Sequence, residues 1–197
     1  GGLGRYHNWP HAYHGQLINT VSSGNPKALL FDIIFDEENT FKYDLVQALS
    51  SGASSKNQDL EYATDQFLDS NDPSKFVVET QNSNKTYHAI VFEEEDTLNF
   101  LPKMDSEPEG YSYQNHIISG VSNEAKNRLP QADRIGNTYV DLLSASAGNG
   151  SANFPQDNDG VIRRAPTAIY FDGPDHVYPT LVMSAVIDIL GIKKDGG

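Results

Sequence analysis

There is no cysteine among the 197 residues. That removes disulfides, thiolate zinc sites and cysteine nucleophiles together. Basic residues are scarce: 14 Lys plus Arg stand against 27 Asp plus Glu, a formal charge of −13. A nucleic-acid binder needs a basic face to neutralise phosphates, so no nucleic-acid partner is expected. Docking on an anionic lipid surface is disfavoured for the same reason. Long apolar runs are missing as well. The longest near-apolar stretch, Ala28 to Phe35, is interrupted by Asp32, and a membrane span needs roughly 20 apolar residues. Common enzyme signatures are absent: no Gly-x-Ser-x-Gly elbow, no Gly-x-x-x-x-Gly-Lys phosphate loop and no His-Glu-x-x-His. The glycine pairs Gly1-Gly2 and Gly196-Gly197 suit a soluble piece cut from a larger chain.

What is present reads as alternating helices and strands. Pro10 fits a first helical turn, and Tyr13, Leu17 and Val21 repeat behind it with Ile18 alongside. Ser23 to Pro26 stop that helix. Ala28 to Phe35 then suits a strand buried on both faces. Tyr43 to Leu49 reads as a second helix, and Leu60 to Leu68 as a weaker one. Phe76 to Glu79 and Tyr87 to Phe92 read as strands separated by a turn at Gln81 to Asn84. Thr138 to Ala147 is a helical stretch, Gly148 to Phe154 a short extended one, and Val161 to Phe171 a long strand. Turns fall at Pro155 to Gly160 and Asp172 to Asp175; a last helix opens at Pro179 and is capped by Gly191. The expected fold is α/β: a central mixed sheet with helices packed on its faces. It forms a single domain over residues 1–197, with a polar insertion or lobe at 93–137.

Three constellations could carry chemistry. Asp32 lies within an apolar run, where a carboxylate must be paired, metal-bound or neutral. If that strand is regular, Asp36 shares its face near the carboxyl end, where α/β proteins place ligands. The second is Asp157-Asn158-Asp159-Gly160 followed by Val161-Ile162-Arg163-Arg164. Asp-x-Asp-Gly has calcium-loop spacing, but the twelfth residue from Asp157 is Ala168, not Glu, so the EF-hand reading fails and a hairpin turn is favoured. One of the two arginines is placed to reach Asp32, the structural salt bridge being assigned to Asp32 and Arg163, and the other to face a ligand anion. The third is His7, His11 and His14. The last two are helical neighbours, yet no third ligand is evident, so they are expected as surface histidines and no metal site is assigned. Ligand binding is assigned to Asp36, Asp157, Asp159, Arg163 and Arg164, with no cofactor beyond weak Ca²⁺ or Mg²⁺ at Asp157 and Asp159. The alternative is a metal-dependent phosphoester hydrolase gathering Mg²⁺ or Ca²⁺ on Asp32, Asp36, Asp157 and Asp159.

Several of these segments, in order, resemble one family. They are Trp9-Pro10 at a helix start, the stretch Ala28 to Phe35, Asp44 to Leu49, the block Gly150 to Pro166 with its Asp-x-Asp-Gly-Val-x-Arg-Arg core, and Tyr178-Pro179-Thr180-Leu181. The chain resembles the CHASE type 2 sensor domains, the second class of cyclase- and histidine-kinase-associated sensory extracellular domains. Where such domains often carry Trp-Pro-Trp and then a basic residue, this chain has Trp9-Pro10-His11-Ala12-Tyr13-His14. The resemblance implies a non-enzymatic input module on the periplasmic or extracellular face of a bacterial inner-membrane protein. Membrane helices and a cytoplasmic cyclase or kinase of the same chain would be its partners, with a homodimer and a small-molecule or ion signal of unknown identity.

Overall fold

The computed structural model describes residues 9–35, 41–52, 58–93, 106, 111, 116–154, 159–163 and 165–192. The fold is α/β. The chain divides into two compact units, each built from two separate stretches: 1–25 with 37–83, and 26–36 with 84–197.

The described part of the first unit is helical: α1 (His11–Ser22), α2 (Phe41–Gly52), α3 (Gln58–Asn71) and α4 (Ser74–Ser83). The strand expected at Phe76 to Glu79 is the middle of α4. Its start is written in Asp72-Pro73-Ser74. The Asp72 carboxylate accepts the Ser74 N–H at 2.9 Å and the Ser74 hydroxyl at 2.7 Å, and Pro73 lacks an N–H to leave unsatisfied. The helix ends at Asn84, which takes φ 48, a left-handed value that Asn tolerates better than most residues. In α1 the expected apolar stripe is split: Ile18 is buried, Tyr13 and Val21 are half-buried, and Leu17 faces out. Leu17 is 44% exposed, while His11, Ala12, His14, Gly15 and Ile18 are buried. Packing on α4 decides the face: a Cβ at Gly15 would stand 2.7 Å from the Lys75 carbonyl oxygen and 2.9 Å from its carbon. Only the glycine side of α1 lets the two backbones come so close.

Among the described residues, the second unit holds two sheets rather than one. In the mixed sheet, β2 (Thr86–Glu93) is central. It pairs in parallel with β1 (Leu29–Phe31) and β5 (Gly148–Ser151), and antiparallel with β4 (Arg134–Gly136). The other sheet runs β3 (Gln131–Ala132), β6 (Ala168–Phe171), β7 (His176–Pro179). The strand buried on both faces is β2, where Thr86 to Ile90 are all buried. By contrast β1 is three residues long, pairs only with β2 among the described residues, and leaves Leu30 39% exposed. Burial on both faces needs cover on both, and an edge strand has less of it. The long strand expected at Val161 to Phe171 is reduced to Ala168–Phe171; Pro166, with no N–H to give a ladder, stands before it. The later part of the stretch expected as an insertion supplies core instead: Ile117, Ala132 and Ile135 are buried with Ile90, Phe92 and Tyr178.

Helix α7 (Leu181–Ile189) covers the face of the mixed sheet that carries Tyr87 and Ala89, through Leu181 and Ala185. It lies against β5 because two glycines make room. A Cβ on Gly150 would sit 2.7 Å from the Leu181 nitrogen and from both carbonyl atoms of Thr180. One on Gly148 would meet the Tyr87 ring at 2.8 Å. The helix closes as expected at Gly191, φ 62. The Ile192 N–H donates to the Ile187 carbonyl and the Gly191 N–H to that of Asp188, a Schellman end. Beyond β5, Asn153 takes the place of a peptide. Its Oδ1 accepts the Phe92 N–H at 2.7 Å and its Nδ2 donates to the Phe92 carbonyl.

Candidate functional site

Asp36, Asp157 and Arg164, expected as ligand contacts, lie outside the described residues, as does His7. The rest of that constellation is placed differently from the expectation. Asp32 stands one residue past β1 and is exposed. Arg163 is not its partner: the guanidinium grips Asp159 through both nitrogens, at 2.8 and 2.7 Å. A carboxylate left in water needs no guanidinium, and a carboxylate four residues away fills the arginine fork first. The Asp159–Arg163 pair is itself open, with both side chains more than half exposed. Arg163, followed by the Val161 N–H, holds the Asp159 carboxyl below the usual carboxylate range. Gly160 takes φ 78 there; the rest of the expected turn, 155–158, lies outside the described residues. Among the described residues, no group of three or more His, Cys, Asp or Glu could hold a metal ion.

A different polar group is buried on the other face of the mixed sheet. Register aligns Phe31, His88 and Asn149 across β1, β2 and β5. The Phe31 and His88 rings stack at 5.0 Å and 12°, and Phe35 meets His88 edge-on at 6.0 Å. His88 and Asn149 are fully buried. The Asn149 Nδ2 donates to the Tyr111 hydroxyl at 2.7 Å, and that hydroxyl is 3.4 Å from the Leu143 carbonyl. The Tyr111 ring lies parallel to His116 at 6.3 Å. The Asn149 Oδ1 is left without a hydrogen-bond partner among the described residues. A buried carbonyl without a donor costs about 1–3 kcal/mol, so this row has the capacity to accept a hydrogen bond. The backbone around it is pinned by Thr138, whose hydroxyl accepts the Phe35 N–H and donates to the Ala89 carbonyl.

The second buried group is in the first unit. His11 and His14 are 6% and 2% exposed, not surface histidines. Their rings are 6.2 Å apart, and each packs on Phe76, at 5.5 and 5.2 Å; Trp9 is 5.9 Å from His14. Burial first, then the neighbouring His11, pushes the His14 imidazole down to about 4.

Sequence reasoning passed over His88, Asn149 and Tyr111. The signals were there for two of them. His88 interrupts an apolar strand as Asp32 does, and Asn149 is a lone amide between two glycines. For the histidine pair, the small residues Ala12 and Gly15 on the same helical face marked the packing side. Nothing in its surroundings in sequence singled out Tyr111.

No helix among the described residues is long and apolar enough to cross a membrane. Comparison with curated proteins and with solved structures finds no match. A family model does match: that of the CHASE2 domain, over residues 3–195, nearly the whole length. The chain therefore belongs to the CHASE2 domain family of extracellular sensory domains.

Proposed function

We propose that this domain is the ligand-sensing input module of a membrane-bound bacterial receptor. It faces the periplasm or cell exterior and catalyses nothing itself. A signal bound here shifts the balance between two conformations, and membrane helices carry the shift to a cytoplasmic cyclase or kinase of the same protein. The observation that carries this reading is family membership over residues 3–195. The seating of α7 adds support, because a helix in backbone contact with the sheet at Gly150 cannot absorb a displacement by side-chain adjustment alone. A ligand acts only through different affinity for the two states, and couplings of this kind are typically about 1–3 kcal/mol.

The experiment is a thermal-shift screen of small metabolites and cations on the domain, followed by cyclase or kinase output in the intact receptor. A compound that raises the melting temperature should also change output. Asn149→Leu should abolish both responses if the buried row takes the ligand. Asp159→Ala with Arg163→Ala should abolish them if the outer pair, with Asp36, Asp157 and Arg164, does. A stabilising compound that leaves output unchanged, together with turnover of a generic phosphoester, would replace the sensor reading with an enzymatic one.

A further inference from the structure

We infer that the His11–His14 pair makes α1 an acid-released helix, so that the proton is a ligand of the first unit. Both rings face Phe76 of α4, with Trp9 over His14, and neither has more than 6% exposure. An imidazolium in that setting is stripped of its hydration by burial. A second proton is worse, because its neighbour 6.2 Å away is already charged. The helices have no slack to open a water path locally, since the backbone of α1 at Gly15 rests on that of α4 at Lys75. Relief therefore comes from lifting α1.

Among the described side chains, the titratable groups on the surrounding elements are Tyr13 of α1, Lys75 and Glu79 of α4, and Glu61, Tyr62, Asp65 and Asp69 of α3. The Lys75 ammonium is 2.9 Å from the Asp69 carboxylate, and Glu79 accepts the Asn19 amide at 3.1 Å. Those charges are engaged at the exposed rim of the helices.

The sign follows from His14, whose closed-state value of about 4 lies below the ordinary 6.5. Closure is complete above pH 6.5 and is lost as the pH falls towards 4, because the open helix binds the proton more tightly. Between pH 7.5 and pH 5, His14 alone shifts the opening equilibrium by about 30-fold. Release of α1 stands on the first unit alone; its use as an input rests on the receptor reading above.

The test uses the full 197-residue chain. Amide exchange, corrected for its intrinsic pH dependence, is compared at pH 7.5 and pH 5 for peptides covering α1 and α7. Trp9, the one tryptophan in the chain, reports the same event by fluorescence, since a protonated imidazole beside an indole quenches it. The α1 peptides should exchange about 30-fold faster at pH 5 relative to α7, and His14→Phe should remove the difference. Acid opening as large as in the natural chain, in both His14→Phe and the double variant His11→Phe/His14→Phe, overturns the inference. Should the variants not fold, imidazole NMR on the natural chain decides: both rings titrating near 6.5 also overturns it. Acid release without any change in receptor output keeps the switch and rejects only its use as an input.

Discussion

An added Cβ at Gly15 would stand 2.7 Å from a carbonyl oxygen of α4, and one at Gly150 would stand 2.7 Å from the first nitrogen of α7. The first and last described helices, α1 and α7, are thus each held by backbone contact through a glycine. What surrounds the two contacts differs. Beside Gly15 lie two imidazoles, a phenyl ring and an indole. Beside Gly150 the neighbours are Leu181, Ala185 and Ala89, with the Tyr87 phenol as the titratable member. The same steric device is therefore coupled to acid in one unit and to alkali in the other. Tight packing fixes position; the chemistry next to it fixes what can undo that position.

The strongest way to break the comparison is Gly150→Ala. All three of its nearest atoms belong to backbone, so the loss should be about 3 kcal/mol, as for overpacking of a rigid core. Urea denaturation with amide exchange across α7 measures it. Gly15→Ala meets backbone too, but alanine regains up to about 1 kcal/mol of helix propensity. Its loss should be smaller, about 1–2 kcal/mol, and confined to exchange in α1. Equal losses at both positions would show that the glycines do not act by steric fit.

Tyr87→Phe sharpens the alkaline side. The phenol donates to Asp188 at 3.1 Å. Burial first, and then Asp188, pushes it up to about 12. The neutral phenol thus stabilises the fold fully below its ordinary value of 10, and this is lost as pH rises from 10 towards 12. The variant should lose about 1 kcal/mol at pH 7 and show a flatter decline of stability above pH 10 in pH-dependent melts. Tyr170, also pushed up to about 12, by Asp175 first, remains in both proteins and cancels in the difference. The smallest effect is expected at Asp159→Ala or Arg163→Ala. That pair is open to solvent and only four residues apart, so melting temperatures should not move measurably. A clear drop would mean that Arg163 supports more than its own turn.

Much of the architecture was legible because helix ends are local events. Gly191 and the stop at Ser23 to Pro26 could be read from a few residues, and so could β2 from its β-branched and aromatic content. The errors arose where an outcome depended on what lies alongside. Ala28 to Phe35 is apolar enough for a central strand, but its place at an edge, not its composition, leaves Asp32 in water. Tyr13, Leu17 and Val21 form a stripe, yet α1 buries the side with the smallest residue, because that side lets α4 approach. Phe76 to Glu79 was different: Asp72-Pro73-Ser74 announced the helix locally and outweighed the β propensity of Phe and Val. The site was the least legible part. Phe31, His88 and Asn149 come together only through strand register, and the separations from 31 to 88 to 149 carry no periodic signal.

One consequence follows from Asn153. Its amide occupies both main-chain hydrogen-bonding groups of Phe92 on the flank where β5 has ended. A strand from another copy would find neither a donor nor an acceptor there. The side chain thus works as a stopper on the growing ladder and guards an apolar strand against edge-to-edge aggregation.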